Sequence, residues 1–186
     1  MNRTLTIMKQ LKSVPTTMLL WLEALERTPQ SRKWHPEGDS LVHTFIVVNR
    51  IMKHKDQTLF ITALMHDLGK AITTSKNSKG NWAAHGHEDE SAKLCENKNI
   101  QEWITENGVK WEDVLWLVKN HMRIKHFDEM NSKKQRLLDQ HRLWPLLEKF
   151  APCDQMGNVT MKEVSKAGGN PCLFIFNKFL NVICKK

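Results

Sequence analysis

Apolar residues recur with a helical period along most of this chain, and Gly, Pro, Asn and Asp mark the turns between them. In "TTMLLWLEALERT" Leu19, Leu22 and Leu25 share one helical face, and Pro29 ends the segment. "LVHTFIVVNRIMKH" predicts a buried helix, although its β-branched content also suits a strand. Asp39 or Ser40, at the end of the turn-rich "SRKWHPEGDS", is placed to cap it. "QTLFITALMHDLGK" predicts another buried helix, with Gly69 near its C-terminus.

"AITTSKNSKGNWAAHGH" is polar and aperiodic and predicts a loop. "EDESAKLCENK" then predicts a helix whose acidic first turn suits the macrodipole. "NIQEWITENG" is a shorter helix stopped by Asn107-Gly108, and "WEDVLWLVKNHMRI" sets Val114, Leu117, Val118 and His121 at helical spacing. The basic "KHFDEMNSKKQRLLDQHR" leads to "LWPLLEKFAPCDQMG", whose aspartate sits near a helix end. Further on, "NVTMKEVSKAGGNP" predicts a helix closed by Gly168-Gly169-Asn170-Pro171, followed by a final amphipathic helix. No two strands pair convincingly and no internal repeat is visible. The fold class expected is all-α: one domain over 1–186, with a core over about 20–160 and a C-terminal helical extension over 161–186. Trp21, Trp103, Trp111, Trp116 and Trp144 are expected to fill space between helices.

Composition narrows this further. A chain of 186 residues is long enough to bury a proper core, and 40% hydrophobic with 26% charged residues argues against wholesale disorder. The formal charge of +8 points toward polyanions, nucleic acid or nucleotide phosphate first; a merely basic protein is the plainer alternative. Cys95, Cys153, Cys172 and Cys184 form no C-x-x-C pair, so free, reduced thiols are expected. "MNRTLTIMKQLKSVP" lacks the apolar core of a secretory signal, and "CLFIFNKFLNVIC" is too short and interrupted to span a bilayer. A cytoplasmic protein without a membrane partner is expected; its oligomeric state is left open.

The chemistry gathers on "ALMHDLGKA", where His66 and Asp67 interrupt an apolar run. His43, His87, His121 and Asp154 stand on other segments. Neutral imidazoles and carboxylates are donors suited to divalent Mn, Ni, Co, Fe, Zn or Mg. Adjacent helical residues point roughly 100° apart, so His66 and Asp67 meet one ion only near a helix end or with the ion between their directions. Each residue also has an ordinary reading: a hydrogen-bonded histidine, a buried structural aspartate, or a helix cap at Asp154.

The pattern H…HD…D, centred on "HDLGK", resembles the HD-domain metal-dependent phosphohydrolases. Within them "KWHPEGDSLVHT", "ALMHDLGKAITT", "HGHEDESAKL" and "VKNH" resemble the HD domain of bacterial CCA-adding tRNA nucleotidyltransferases. The resemblance is clear over roughly residues 20 to 125 and weaker to Asp154. It implies an HD-domain helical bundle holding one or two divalent ions. His43, His66, Asp67 and Asp154 would be the primary ligands, and His87 and His121 would hold a second ion or face the substrate phosphate. Asp67, Lys70 and His87 would carry catalysis, and Lys70, His35 and Arg123 would contact substrate. No paired aspartates on a strand precede Trp34, so the chain is expected to be a free-standing HD module that does not add CCA.

The activity implied is cleavage of phosphate esters of nucleotides or RNA ends by metal-activated water, of the 2′,3′-cyclic phosphodiesterase, nucleotidase or phosphatase type. Hydrolysis of free (deoxy)nucleotides or of a signalling nucleotide is the alternative, and a non-catalytic RNA-binding module is the second. Lys119, Arg123, Lys125, Lys133, Lys134 and Arg136 form a basic stretch that would track RNA phosphates, or else a solvated helical face. Trp82 would stack on a base or pack locally. Glu37 and Asp39 form a turn and cap beside His35. His54, His126 and His141 carry no motif and are expected at the surface.

Overall fold

The computed structural model describes residues 14–31, 35 and 39–155, of which nine helices make up most. In chain order these are α1 (Thr16–Leu25), α2 (Ser40–Ile51), α3 (Gln57–Met65), the single-turn α4 (Lys70–Thr73), α5 (His87–Cys95), α6 (Lys98–Glu106), α7 (Trp111–Asn120), α8 (Ser132–Asp139) and α9 (Trp144–Gln155). A 3₁₀ turn, Met52–His54, closes α2, and a longer one, Arg123–Glu129, follows α7. The all-α reading holds. The two C-terminal helices and the extension over 161–186, together with Glu37, Cys172 and Cys184, lie outside the described residues.

Two expectations need correction. "AITTSKNSKGNWAAHGH" is not all loop: its start forms α4, and Ser75–Lys76 pairs antiparallel with Trp82–Ala83. The turn between these strands is tied by the Asn77 side chain, which accepts from the backbone N–H of Lys79 and Asn81. Two residues per strand are too few to show an alternating pattern. The second correction concerns the "HDLGK" helix, which ends at Met65, so that His66–Gly69 form a turn before α4. Gly69 has φ −63° and is no left-handed cap.

Caps set the helix starts where the chemistry needs them. Asp39 accepts from Val42 N at 3.0 Å and starts α2, which fixes His43 in the first turn. Asp56 does the same for α3 through Leu59 N, also at 3.0 Å. The helical faces read from the sequence are buried as expected: Leu19, Leu22 and Leu25 of α1, and Val114, Leu117 and Val118 of α7 with His121 beyond its end. α2 is buried nearly all round, which suits its high share of apolar and β-branched residues.

The main core joins α1, α2, α3 and parts of α5–α7 and α9, with Phe45 and Phe150 among its largest fully buried side chains. A smaller cluster of Leu117, Leu138, Leu143 and Leu147 ties α7 to α8 and α9. Trp103 is buried, while Trp21, Trp111, Trp116 and Trp144 are half-buried against these clusters. Cys95 and Cys153 are free and buried, and burial pushes the Cys95 thiol up to about 12. Among the described residues no helix is long and apolar enough to cross a membrane.

Candidate metal centre

Five elements converge on one buried point. His43 comes from the first turn of α2, and His66 and Asp67 from the turn that ends α3. His87 is the first residue of α5, His121 caps the C-terminus of α7, and Asp154 lies near the end of α9. The adjacent His66 and Asp67 share a centre because they sit past a helix end rather than within it. All six residues are at most 5% exposed.

Asp67 is the pivot. Its Oδ2 lies 3.2 Å from His66 Nε2 and 3.7 Å from His43 Nε2. Its Oδ1 lies 3.2 Å from His87 Nε2 and 3.9 Å from His121 Nε2. One carboxylate therefore faces two imidazole pairs, giving the triads His43–His66–Asp67 and Asp67–His87–His121. Asp154 joins the first, with Oδ1 3.0 Å from His43 Nε2 and 3.8 Å from His66 Nε2.

The backbone decides which nitrogens face inward. Nδ1 of His66 donates to the Ala63 carbonyl at 2.9 Å, that of His87 to Ala84 at 2.7 Å, and that of His121 to Val118 at 2.6 Å. A carbonyl accepts only from N–H, so in the neutral form of each ring Nε2 is the nitrogen that carries the lone pair. The inward Nε2 atoms of His87 and His121 lie 3.2 Å apart. His66 Nε2 is buried with no hydrogen-bond partner, as are Oδ2 of Asp67 and of Asp154. Buried acceptors crowded together are costly, and a cation among them offsets that cost. Metal–nitrogen bonds of about 2.0–2.1 Å at right or tetrahedral angles place neighbouring donors roughly 2.8–3.4 Å apart. The donor set fits a divalent ion.

Two ammonium groups flank the carboxylates. Lys70 Nζ is 2.7 Å from Asp67 Oδ2, and Lys125 Nζ is 2.7 Å from Asp154 Oδ2, though neither is aligned for a hydrogen bond to that oxygen. Burial pushes Asp67 up, but His66 and Lys70 outweigh it and hold its carboxyl well below the usual range. Asp154 is held low in the same way, against burial, by Lys125 and His43. Burial, and after it the neighbouring His66, drives His121 well below the ordinary imidazole value.

These shifts have one sign. Each group binds protons less readily folded than unfolded, so acidification favours the unfolded chain. The His121 contribution is complete above about pH 6.5 and is lost as pH falls below it; those of the aspartates fade below about pH 4. Thermal melts of chelator-treated protein should show stability falling between pH 7 and 5, with that first step missing in His121→Leu. A flat profile over this range would contradict a neutral, buried imidazole at 121.

A cavity of about 750 Å³ opens over the cluster. Its lining includes Asp67, Lys70, His87, Lys125 and Asp154 of the cluster, together with Gln30, His35, Thr74 and Trp82. The His35 ring packs edge-on against His43 at 4.7 Å between centroids. Trp82 on the hairpin is 38% exposed, with Lys76 Nζ 5.2 Å from its ring centroid. Arg123 does not line this cavity; it donates to Asn120 Oδ1 and borders a shallower depression of about 310 Å³.

Of the basic stretch only Lys125 reaches the cavity wall; Lys119 lies by Asp89, and Lys133, Lys134 and Arg136 are exposed elsewhere. His126 is exposed but also lines the cavity, beside Glu129. His54 is half-buried near Cys153, and His141 stacks on Trp116. Gln30 was invisible in the sequence because it lies in a turn without a motif. Lys125 had a weak signal, one cation four residues after His121.

Comparison with known proteins places this arrangement in context. The HD domain family model matches residues 41–140. The multifunctional CCA protein of Psychromonas ingrahamii is 33% identical over 70% of this chain and 31% of its own length. That of Shewanella frigidimarina is 30% identical over 66% of this chain and 29% of its own. That of Herminiimonas arsenicoxydans is 42% identical over 42% of this chain and 19% of its own. The chain thus matches about a third or less of these relatives' lengths.

Proposed function

The chain belongs to the HD domain family of metal-dependent phosphohydrolases, and from that membership we propose that it hydrolyses phosphate esters of nucleotides or RNA ends. The observation that carries the reading is the shared Asp67 carboxylate, one oxygen turned to each imidazole pair in a buried pocket rich in acceptors. His43, His66, Asp67 and Asp154 would hold one divalent ion, and Asp67, His87 and His121 a second. Bound there, a divalent ion supplies a nucleophile by lowering the pKa of water and polarises a phosphoryl oxygen.

The chain's own residues do the rest. The Nδ1–carbonyl bonds lock His66, His87 and His121 with Nε2 inward before any ligand arrives, so no reorganisation is needed at binding. Lys70 and Lys125 balance the two carboxylates, so each added divalent ion leaves a surplus of positive charge matched to a phosphate dianion. Lys70, lining the cavity beside Asp67, neutralises charge growing on a non-bridging oxygen. The cavity is of a size to take one nucleotide. On its hairpin wall Trp82 offers an exposed aromatic face of the kind that stacks on a base.

The resemblance to CCA-adding enzymes draws the substrate toward 2′,3′-cyclic and 2′-phosphates of RNA ends. Chelator treatment followed by return of Mn, Ni, Co, Fe, Mg or Zn one at a time tests the chemistry. A panel of 2′,3′-cyclic nucleotides, nucleoside monophosphates and triphosphates tests the substrate. We expect an inert stripped protein, restoration by at least one ion, and preference for the cyclic or 2′-phosphates. A preference for triphosphates would favour the free-nucleotide reading. A protein that binds no ion and turns over nothing would be a binding module instead.

A further inference from the structure

Gln30 is 8% exposed, lines the cavity, and comes from the turn between α1 and α2, remote in sequence from the metal cluster. Its Oε1 accepts from Lys70 Nζ at 2.8 Å. That bond fixes the amide: a lysine ammonium only donates, so the oxygen must face it and Nε2 is left as an obligate donor. Nε2 is buried with no hydrogen-bond partner. Thr74 Oγ1, just past α4 and also lining the cavity, is buried and unpartnered as well. An amide donor held in place by an ammonium, and a hydroxyl lining the same cavity, both unsatisfied, leave this lining short of acceptors. The adjoining metal cluster has the reverse deficit.

We propose that Gln30 Nε2, Lys70 Nζ and Thr74 Oγ1 form an oxyanion subsite that takes the oxygens of a substrate phosphoryl group. The chemistry required of the ligand is several acceptor oxygens carrying negative charge within reach of adjacent donors, which a phosphoryl group supplies and an amine, amide N–H or apolar group does not. Lys70 sits between the two halves of the site, 2.7 Å from Asp67 Oδ2 and bonded to Gln30, so the subsite borders the metal ligands directly. Gln30 is therefore a substrate-binding residue and the Lys70–Gln30 bond sets its donor direction. The identification of the ligand as a phosphate rests on the phosphohydrolase reading; the donor lining itself does not.

The test measures binding of inorganic phosphate by calorimetry to the metal-loaded protein, in wild type, Gln30→Leu and Gln30→Glu, with KM and kcat for the best ester found. Gln30→Leu removes the donor, and loss of one hydrogen bond to a charged oxygen should weaken phosphate about tenfold and raise KM alike, with kcat changed less than about threefold. Gln30→Glu keeps the Lys70 contact, and with it the local fold, but turns a carboxylate oxygen toward the anion and should weaken phosphate more than Gln30→Leu. Weakening of inorganic phosphate assigns the contact to the phosphoryl group at the metal centre. Weakening confined to a nucleoside diphosphate assigns it to a second phosphoryl group. Both support the subsite. Unchanged affinity for all phosphates in Gln30→Glu overturns it, as does a loss seen only with ribo- and not deoxyribonucleotides, which would make Gln30 a hydroxyl contact. A wild-type protein that binds phosphate through Gln30 yet cleaves no ester would retire the phosphohydrolase reading and leave the subsite standing.

Discussion

Asp67→Asn is expected to abolish metal binding at both triads and to lower turnover on the order of 10³-fold or more, well beyond the roughly 10- to 100-fold cost of losing an outer partner of a metal ligand. The substitution keeps size and shape but exchanges one oxygen for an NH₂. Whichever way the amide turns, its donors face either the His43–His66 pair or the His87–His121 pair, whose inward nitrogens would hold ions rather than accept protons. The lost charge also leaves Lys70, 8% exposed, without its carboxylate, and an uncompensated buried charge costs about 3–5 kcal/mol. Elemental analysis of the purified variant, with a melt to confirm folding, reads the effect. His121→Gln serves as the contrast, since it touches one triad and should spare the ion held by His43 and His66. Full metal content and undiminished turnover in folded Asp67→Asn would refute the shared-carboxylate centre.

How legible was this centre in the chain? The helices were, because buried faces repeat every three or four residues and because Asp39 and Asn107-Gly108 are strong local punctuation. The convergence of His43, His66, Asp67, His87, His121 and Asp154 was suggested by motif order, and the structure brings all six together. The second face of Asp67 was not foreseeable, because which carboxylate oxygen meets which imidazole depends on the packing of α5 and α7. Gln30 was hidden for a related reason: its role comes from Lys70 across forty positions of sequence. Lys125 and Arg123 show the opposite failure. A run of cations reads as one surface, yet the 3₁₀ segment turns Lys125 onto Asp154 and Arg123 away onto Asn120.

Gly69 carries the clearest lesson about what sequence patterns conceal, and Gly69→Ala is the second substitution expected to have a large effect. A glycine after an apolar helical run suggests a left-handed cap, yet φ is −63°, where alanine is equally at ease. The constraint is proximity. A Cβ at 69 would lie 2.2 Å from the His87 carbonyl oxygen, 2.6 Å from Ser91 N and 2.9 Å from Glu90 Cβ. The first two are backbone atoms of α5 and cannot rotate aside. The turn bearing His66 and Asp67 is pinned to that helix by Gly69 N donating to Ser91 Oγ at 2.8 Å. An added methyl must push α5 outward, carrying His87 from Asp67 Oδ1. We expect a loss of about 3 kcal/mol, the upper end for overpacking, with the Asp67–His87–His121 triad losing its ion first. Gly86→Ala is the control: it has φ +75° but open space around its Cβ, so it should cost only about 1–2 kcal/mol of backbone strain. Melting curves and metal stoichiometry on the two variants separate the mechanisms. If Gly69→Ala proves no worse than Gly86→Ala and keeps its metal, the turn and α5 are not in the contact that aligns His87 with Asp67.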